Sequence, residues 1–143
     1  MIELLENKEY QDLTIKHSKE LLTFMQKNHD NFNITANILG IKFQPELPES
    51  IFQKFGQFVL FTLSNYTLSS LKIENNFITF EAGFGAENFG ATCKIAIESI
   101  FQISVENSIL FLNPNATMEK DFFGTNTEEE QKIRSMNAFS FKK

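Results

Sequence analysis

The sequence predicts an α+β domain that is mainly β. We expect an N-terminal amphipathic helix followed by a curled, mostly antiparallel sheet. A long segment near the N-terminus has apolar residues at helical spacing, and about six short apolar runs follow it between turn residues. The chain has 143 residues, of which 42% are hydrophobic. That size and composition suit one domain with a substantial core.

The helix is predicted over residues 9–28, with Asn7 as its candidate N-cap. Its apolar stripe recurs every three or four positions. The stripe consists of Tyr10, Leu13, His17, Leu21 and Phe24. Because strands rather than a second helix come next, the stripe needs a cover. It either lies on the sheet or pairs with its own copy in a homodimer, where His17 is packed or interfacial.

Alternating or continuous apolar runs predict the strands. They cover residues 33–41, 57–63, 71–73, 77–85, 92–97 and 108–112. Short helical turns are predicted at residues 50–55 and 98–103, and a turn is predicted at residues 64–67. Asn and Pro residues between the runs supply the turn chemistry.

The character of the sequence changes at Met118. We therefore predict a domain over residues 1–117 and a flexible tail over residues 118–143, whose apolar residues are too sparse for a core. The tail holds an acidic run at residues 128–130. It ends in NAFSFKK, which is either a short linear interaction motif or a frayed end. The apolar and basic residues of that end are Ala138, Phe139, Phe141, Lys142 and Lys143.

Charge argues against some partners. The net charge is -5 and the pI is about 5.1, with the lysines spread singly along the chain. Nucleic-acid binders usually show a basic patch, so we expect no nucleic-acid partner, and the acidic balance disfavours an anionic membrane. No apolar run approaches the length of a transmembrane helix. The N-terminus lacks the pattern of a signal peptide, so a cytoplasmic protein is expected.

The sequence offers little catalytic chemistry. It contains one cysteine, Cys93, and two histidines, His17 and His29. One cysteine excludes an intramolecular disulfide and a multi-cysteine metal site, and we expect it to be buried and inert. No metal-ligand spacing and no phosphate-loop ending is present. We predict a protein that is not an enzyme and needs no cofactor.

The stretch FITFEAGFG, residues 77–85, combines a strand pattern with glycines. Phe80, Ala82 and Phe84 fall on one face of such a strand. Two rings with a small residue between them form a shallow trough, and glycine in a strand often marks a close approach by another backbone. An extended peptide fits such a trough. The alternative is a sheet corner that bends at Gly83.

A resemblance favours the trough. The stretch GQFVLFTLSNYTLSSLKIENNFITFEAGFG, residues 56–85, resembles the centre of the SspB family, bacterial adaptors that deliver ssrA-tagged polypeptides to the ClpXP protease. The similarity lies in Gly56, Gln57, Val59 and Leu60, in residues 71–76, and in Phe80, Ala82, Phe84 and Gly85. It continues through CKIAIESIFQI and SILFLNP. Ala96 stands where the family usually has proline, and the loops over residues 64–70 and 86–90 depart in length.

The resemblance implies a compact, Sm-like curled sheet and a homodimer formed through the N-terminal helix. It also implies that Ala82 lies in a tag-binding groove that a larger side chain would block. Phe80 and Phe84 would flank Ala82 next to Gly85, and Tyr66, Thr67 and Leu68 would form a wall.

The C-terminal motif also fits the resemblance. Family members end in a flexible linker and a short apolar-basic motif that docks on the N-terminal domain of ClpX. The end NAFSFKK is similar, and adaptors need no catalytic residues. The alternative is a small acidic, dimeric secretion-type chaperone that binds extended segments of a partner. An Sm-like RNA binder would rest on fold analogy alone, and the charge argues against it.

Overall fold

A computed structural model describes residues 2–124. A short helix, α1 (Ile2–Leu5), precedes the long helix α2 (Lys8–Asn28). Eight strands follow, with two single-turn helices among them. They are β1 (Asn31–Asn37), β2 (Ile41–Gln44), α3 (Glu49–Phe52), β3 (Phe58–Ser64), α4 (Asn65–Ser69), β4 (Lys72–Glu74), β5 (Phe77–Phe84), β6 (Phe89–Ala96), β7 (Ile100–Val105) and β8 (Ser108–Leu112). The α+β class with one long N-terminal helix is confirmed.

The strands form two four-stranded sheets. The first sheet has the order β3-β1-β7-β8 and the second has the order β2-β6-β5-β4. Every strand pair within residues 2–124 is antiparallel. The chain passes between the sheets four times, and two of these passages are 3-10 turns, Ile38–Gly40 and Ile97–Ser99. These turns touch, and a side chain at Gly40 would collide with that of Ser99, so this crossing requires glycine.

Helix α2 begins where its sequence predicts. The side chain of Asn7 accepts a hydrogen bond from the Tyr10 backbone N–H at 2.9 Å, which satisfies one of the unpaired donors of the first turn. The predicted bounds differ from the observed ones by one residue. The face turned to the sheets carries Thr14, Ser18, Leu22 and Met25, which are all buried.

The core consists of inward-facing residues at alternate strand positions. Phe32, Ile34 and Ala36 of β1 are buried, as are Ile78 and Phe80 of β5. Cys93 of β6 lies among them without exposure, and burial raises the pKa of its thiol to about 12 because the thiolate is disfavoured away from water. The prediction of a buried thiol is confirmed.

Three details differ from the predicted elements. The strand predicted over residues 33–41 is divided by the turn Ile38–Gly40. The helical turn predicted over residues 98–103 is wrong, because Ile100–Val105 is a strand that pairs with both β1 and β8. The turn predicted over residues 64–67 is largely helix α4. These short segments take their form from neighbours that are distant in sequence.

The chain stays on the domain beyond the predicted boundary at residue 117. Phe122 is buried, and Lys120 pairs with Glu98 at 2.7 Å. The side-chain amide of Asn37 donates to the Met118 carbonyl at 3.4 Å. Residues 118–124 thus contact the domain, whereas the prediction was a flexible tail there. Residues 125–143 lie outside the described part of the chain.

The structure also bears on membranes. Across residues 2–124, no helix combines the length and apolar character that crossing a bilayer requires. The longest helix, α2, has its apolar residues interrupted by charged ones.

Candidate functional site

A groove of about 240 Å³ lies between β3 and the second half of β5. The sequence-predicted trio Phe80, Ala82 and Phe84 forms part of it, together with Thr67 of α4. The other lining residues are Phe55, Val59, Leu60, Phe61, Thr62 and Gly83. None of these side chains is charged, so the groove selects by shape and by apolar contact.

Interlocked phenylalanine rings form the floor. The Phe61 ring meets Phe80 edge-to-face at 5.2 Å and Phe84 at 6.4 Å between centroids. Phe84 also contacts Phe55 at 6.3 Å and Phe43 at 5.6 Å. Edge-to-face contacts at these distances are favourable beyond the area they bury. Phe80 is buried, whereas Phe84 is half-buried, so Phe80 supports the floor and Phe84 is available to a ligand.

Ala82 leaves the space above this floor open. It lies between Phe80 and Phe84 on the same face of β5 and is half-buried. Its partner across the strand pair, Ala91, is also small. Because Ala82 lines the groove, a longer side chain at this position extends toward it. The structure therefore places Ala82 where substitution changes the groove while the core beneath it stays packed.

Two strand edges adjoin the groove. β3 is the last strand of the first sheet. β4 pairs with β5 only as far as Thr79, so residues 80–84 have a strand partner on one side alone. The Glu81 backbone N–H points to the unpaired side and donates to Ser70 Oγ at 2.9 Å. Because main-chain groups alternate along a strand, Gly83 turns its N–H and C=O to that same side. Such an edge accepts an added extended segment.

The predicted wall comes from α4. Thr67 lines the groove, and Leu68 packs against the core behind it. Tyr66 stands at the rim with 65% of its surface exposed, and its hydroxyl donates to Glu81 Oε1 at 2.9 Å. That hydrogen bond, followed by the negative charge of Glu81, raises the pKa of Tyr66. Tyr66 and Leu68 thus lie beside the groove without lining it.

The glycines of FITFEAGFG are required by the hairpin that β5 and β6 form. Gly85 has φ of 74° at the start of the turn between β5 and β6, a conformation that favours glycine. A side chain at Gly83 would collide with that of Asn88 within the same hairpin. The close approach at Gly83 is therefore made by the chain itself. Gly85, predicted as a binding residue, is absent from the lining of the groove among the residues described.

Sequence reasoning missed the opposite side of the groove. Phe61 and Val59 of β3 and Phe55 before it complete the lining. The run QFVLFTL predicts a strand but gives no indication of which element it faces. Its alternation of Val59, Phe61 and Leu63 is the signal that these residues share an inward face.

The residues predicted for a dimer interface are divided between two environments. Leu13 and Phe24 are 62% and 58% exposed. His17 is also exposed, and its ring contacts Phe111 at 5.2 Å between centroids. Tyr10 and Leu21 are half-buried, and Leu21 packs against the core. The residues predicted to dock an unfoldase, Ala138, Phe139, Phe141, Lys142 and Lys143, lie outside the described residues.

Comparisons with known proteins give no information on the groove, so its interpretation depends on its geometry. No protein-family model, curated protein or solved structure matches this chain. Within residues 2–124, no group of three or more His, Cys, Asp or Glu side chains is arranged to hold a metal ion.

Proposed function

We propose that this protein is a proteolysis adaptor that binds ssrA-type degradation tags and tethers the tagged polypeptide to the ClpXP unfoldase-protease. One observation carries the proposal: an uncharged groove over Ala82, between Phe80 and Phe84, lies beside an unpaired strand edge. The proposal includes a cytoplasmic location, where such substrates arise, and an Sm-like curl of the sheets, both from the resemblance to SspB.

The tag is proposed to lie along β5 as an extended strand. The main-chain groups of Gly83 offer it one donor and one acceptor. Alternate side chains of a strand point to one face, so every second tag residue enters the space above Ala82. Because the lining residues are aromatic, aliphatic or threonine, apolar tag side chains gain most from burial there.

Delivery is proposed to use the C-terminal motif, residues 138–143. Residues 125–137 separate it from the described domain. As a coil, thirteen residues span roughly 20 Å. A link of that length raises the local concentration of a captured substrate at the unfoldase without any new contact.

The proposed assembly is a homodimer formed through the exposed face of α2. Leu13 and Phe24 are large apolar side chains left uncovered on this helix. Replacing both with Asp should convert the dimer to a monomer, because two charges would enter an apolar interface. Size-exclusion chromatography with light scattering measures this. Lys16→Asp, an exposed change on the same helix, is the control. A wild-type monomer would remove the dimer from the proposal.

The main test is fluorescence anisotropy with a labelled ssrA-type peptide and the variant Ala82→Gln. We expect saturable binding by the wild type and a loss of about 100-fold or more in the variant, because the added side chain occupies the groove. Thr92→Gln is the matched control, since Thr92 is exposed on the opposite face of the same sheet. Circular dichroism establishes that both variants fold. Equal binding by Ala82→Gln and the wild type would refute the groove assignment.

Removal of residues 135–143 tests delivery separately. We expect the truncated chain to bind the peptide normally and to lose its acceleration of ClpXP degradation of a tagged substrate. If degradation is still accelerated, the docking role of the motif is wrong. A secretion-type chaperone would bind extended segments without accelerating degradation in either form.

A further inference from the structure

The outer face of the second sheet carries a row of lysines. Strand pairing aligns Lys42 of β2 with Lys94 of β6, Lys94 with Thr79 of β5, and Thr79 with Lys72 of β4. These residues face away from the core. This concentration of positive charge stands out in a chain whose net charge is -5.

Lys42 and Lys94 are direct cross-strand neighbours. Like charges in that position repel each other and destabilise a strand pair. The Phe123 ring lies 4.3 Å from Lys42 Nζ and 6.0 Å from Lys94 Nζ, and Phe77 lies 4.0 Å from Lys94 Nζ. Nearby Lys8 and Lys120 have carboxylate partners, Asp12 and Glu98. Within the described chain, Lys42 and Lys94 have ring contacts in place of ion pairs.

The two lysines separate two hollows. One, of about 670 Å³, is lined by Lys42 and Lys94 together with Phe122, Phe123 and Gly124. Three carboxylates also line it, Asp12, Glu98 and Asp121, and the first two of these pair with Lys8 and Lys120. The other, of about 860 Å³, is lined by the same lysines and by Leu47 and Phe52 near α3. Glu46 and Glu49 also line the second hollow, so its far end is acidic. We call the two hollows together the outer trough. Its lining is of mixed charge, and within residues 2–124 the lysines of the trough without an ion pair, Lys42 and Lys94, form the ridge between the hollows.

The chain itself carries an anionic segment to this ridge. Gly124, the last residue described, lines the first hollow. Three consecutive glutamates, residues 128–130, begin four residues later. Four extended residues reach about 14 Å, and Phe123 already touches Lys42. The acidic run is therefore within reach of both lysines, at the high effective concentration of a short tether.

We propose that the acidic run at residues 128–130 binds across Lys42 and Lys94 in the outer trough of its own chain. The contact offsets the repulsion between the two lysines and fixes the root of the C-terminal segment on the outer face of the second sheet. It is an exposed, multiply charged contact, so salt weakens it. Its consequence for delivery rests on the proposed function: the free tether before residue 138 shortens to seven residues.

The test is two-dimensional amide NMR of the full chain at low salt. We expect Lys42→Gln combined with Lys94→Gln to shift the amide signals of residues 128–130, and about 500 mM NaCl to shift them in the same direction. Lys72→Gln is the matched control, because Lys72 belongs to the same row but lies on the far edge strand. Lys42→Glu and Lys94→Glu, combined with Glu→Lys at residues 128–130, should restore the salt dependence of the amide signals of that run, because opposite charges face each other again.

Unchanged signals in the double-lysine variant, or equal shifts in Lys72→Gln, would overturn the proposal. Carbodiimide crosslinking of mixed ¹⁴N- and ¹⁵N-labelled protein identifies the chain that supplies the glutamates. Crosslinks from Lys42 or Lys94 to residues 128–130 within one isotope label support it, and crosslinks between labels assign the contact to a second copy and overturn it. Peptide anisotropy on the same samples keeps the two questions apart. A wild type that does not bind the peptide would contradict the proposed groove and would leave the result on the trough unaffected.

Discussion

The groove and the outer trough lie on opposite faces of the same sheet and differ in chemistry. Along β5, Ala82 faces the groove while Glu81 faces outward, and along β6, Cys93 is buried while its neighbour Lys94 meets solvent and aromatic rings. The groove has no charged lining, whereas the trough is lined by four lysines and five carboxylates. Period-two alternation is enough to produce both surfaces from shared strands.

The difference indicates how each surface would select a partner. Interlocked rings hold the shape of the groove, so a ligand there is discriminated by fit and by apolar area. The lysine ammonium groups of the trough lie at the ends of long, flexible side chains. They attract negative charge over several ångströms, with less dependence on the shape of the partner.

Among the changes that remove a contact from one of the two surfaces, the largest effect is expected at Phe84. Phe84→Ala removes a half-buried ring that contacts Phe43, Phe55 and Phe61. Peptide affinity should fall about 10- to 100-fold, because apolar contact is lost and the floor loosens. Anisotropy measures the affinity and urea unfolding measures the accompanying loss of stability. Lys94→Ala, on the opposite face, should leave the affinity within about twofold. Equal losses of peptide affinity in the two variants would mean that the two surfaces do not act independently.

The second prediction concerns Cys93, the inward neighbour of Lys94. Its thiol keeps its proton in the folded state up to a pKa of about 12, against 9.0 in the unfolded chain. Between these values the folded state binds more protons, so stability falls as pH rises. Relative to Cys93→Ala, the wild type should lose about 1.4 kcal/mol of unfolding free energy between about pH 7.5 and about pH 10.

Urea unfolding at both pH values gives this difference. The cavity left by Cys93→Ala costs the same at each pH and cancels from it. A wild type and a variant with parallel pH dependence would mean that the thiol reaches solvent in the folded state.

Local periodicity predicted the parts of the fold that depend on neighbouring residues. Helix α2 and strand β5 were located closely, and Phe80, Ala82 and Phe84 do share one face. The other side of the groove could not be predicted. Phe55 and Phe61 belong to another segment, and only the packing of the two sheets brings them to Phe84.

The helix shows why apolar spacing alone is insufficient. The stripe with Leu13 and Phe24 predicted a single covered face, yet the face toward the sheets includes Thr14 and Ser18. The helix packs against the turn Ile97–Ser99, and apolar spacing does not reveal that small polar residues are buried on the inward face. Strand β7 was mistaken for a helical turn because that 3-10 turn directly precedes it.

A smaller effect is expected at the rim of the groove. Tyr66→Phe removes the hydrogen bond from the Tyr66 hydroxyl to Glu81 and keeps the ring. Because the pair is exposed, peptide affinity should fall only about two- to threefold, through a less well-positioned α4. Anisotropy with the same peptide measures it. Tyr10→Phe, on the distant helix, is the control, and a loss above about tenfold would mean that Tyr66 contacts the tag directly.

The smallest effect is expected from salt on groove binding. The lining of the groove carries no charge, so the affinity for a peptide of zero net charge should change less than about twofold between about 50 and about 500 mM NaCl. Over the same range, the amide signals of residues 128–130 should move to their high-salt positions. If the neutral peptide instead loses about tenfold in affinity, charged residues outside the groove contribute to its binding. If peptide affinity and amide signals change together along one salt titration, the two surfaces act as a single site.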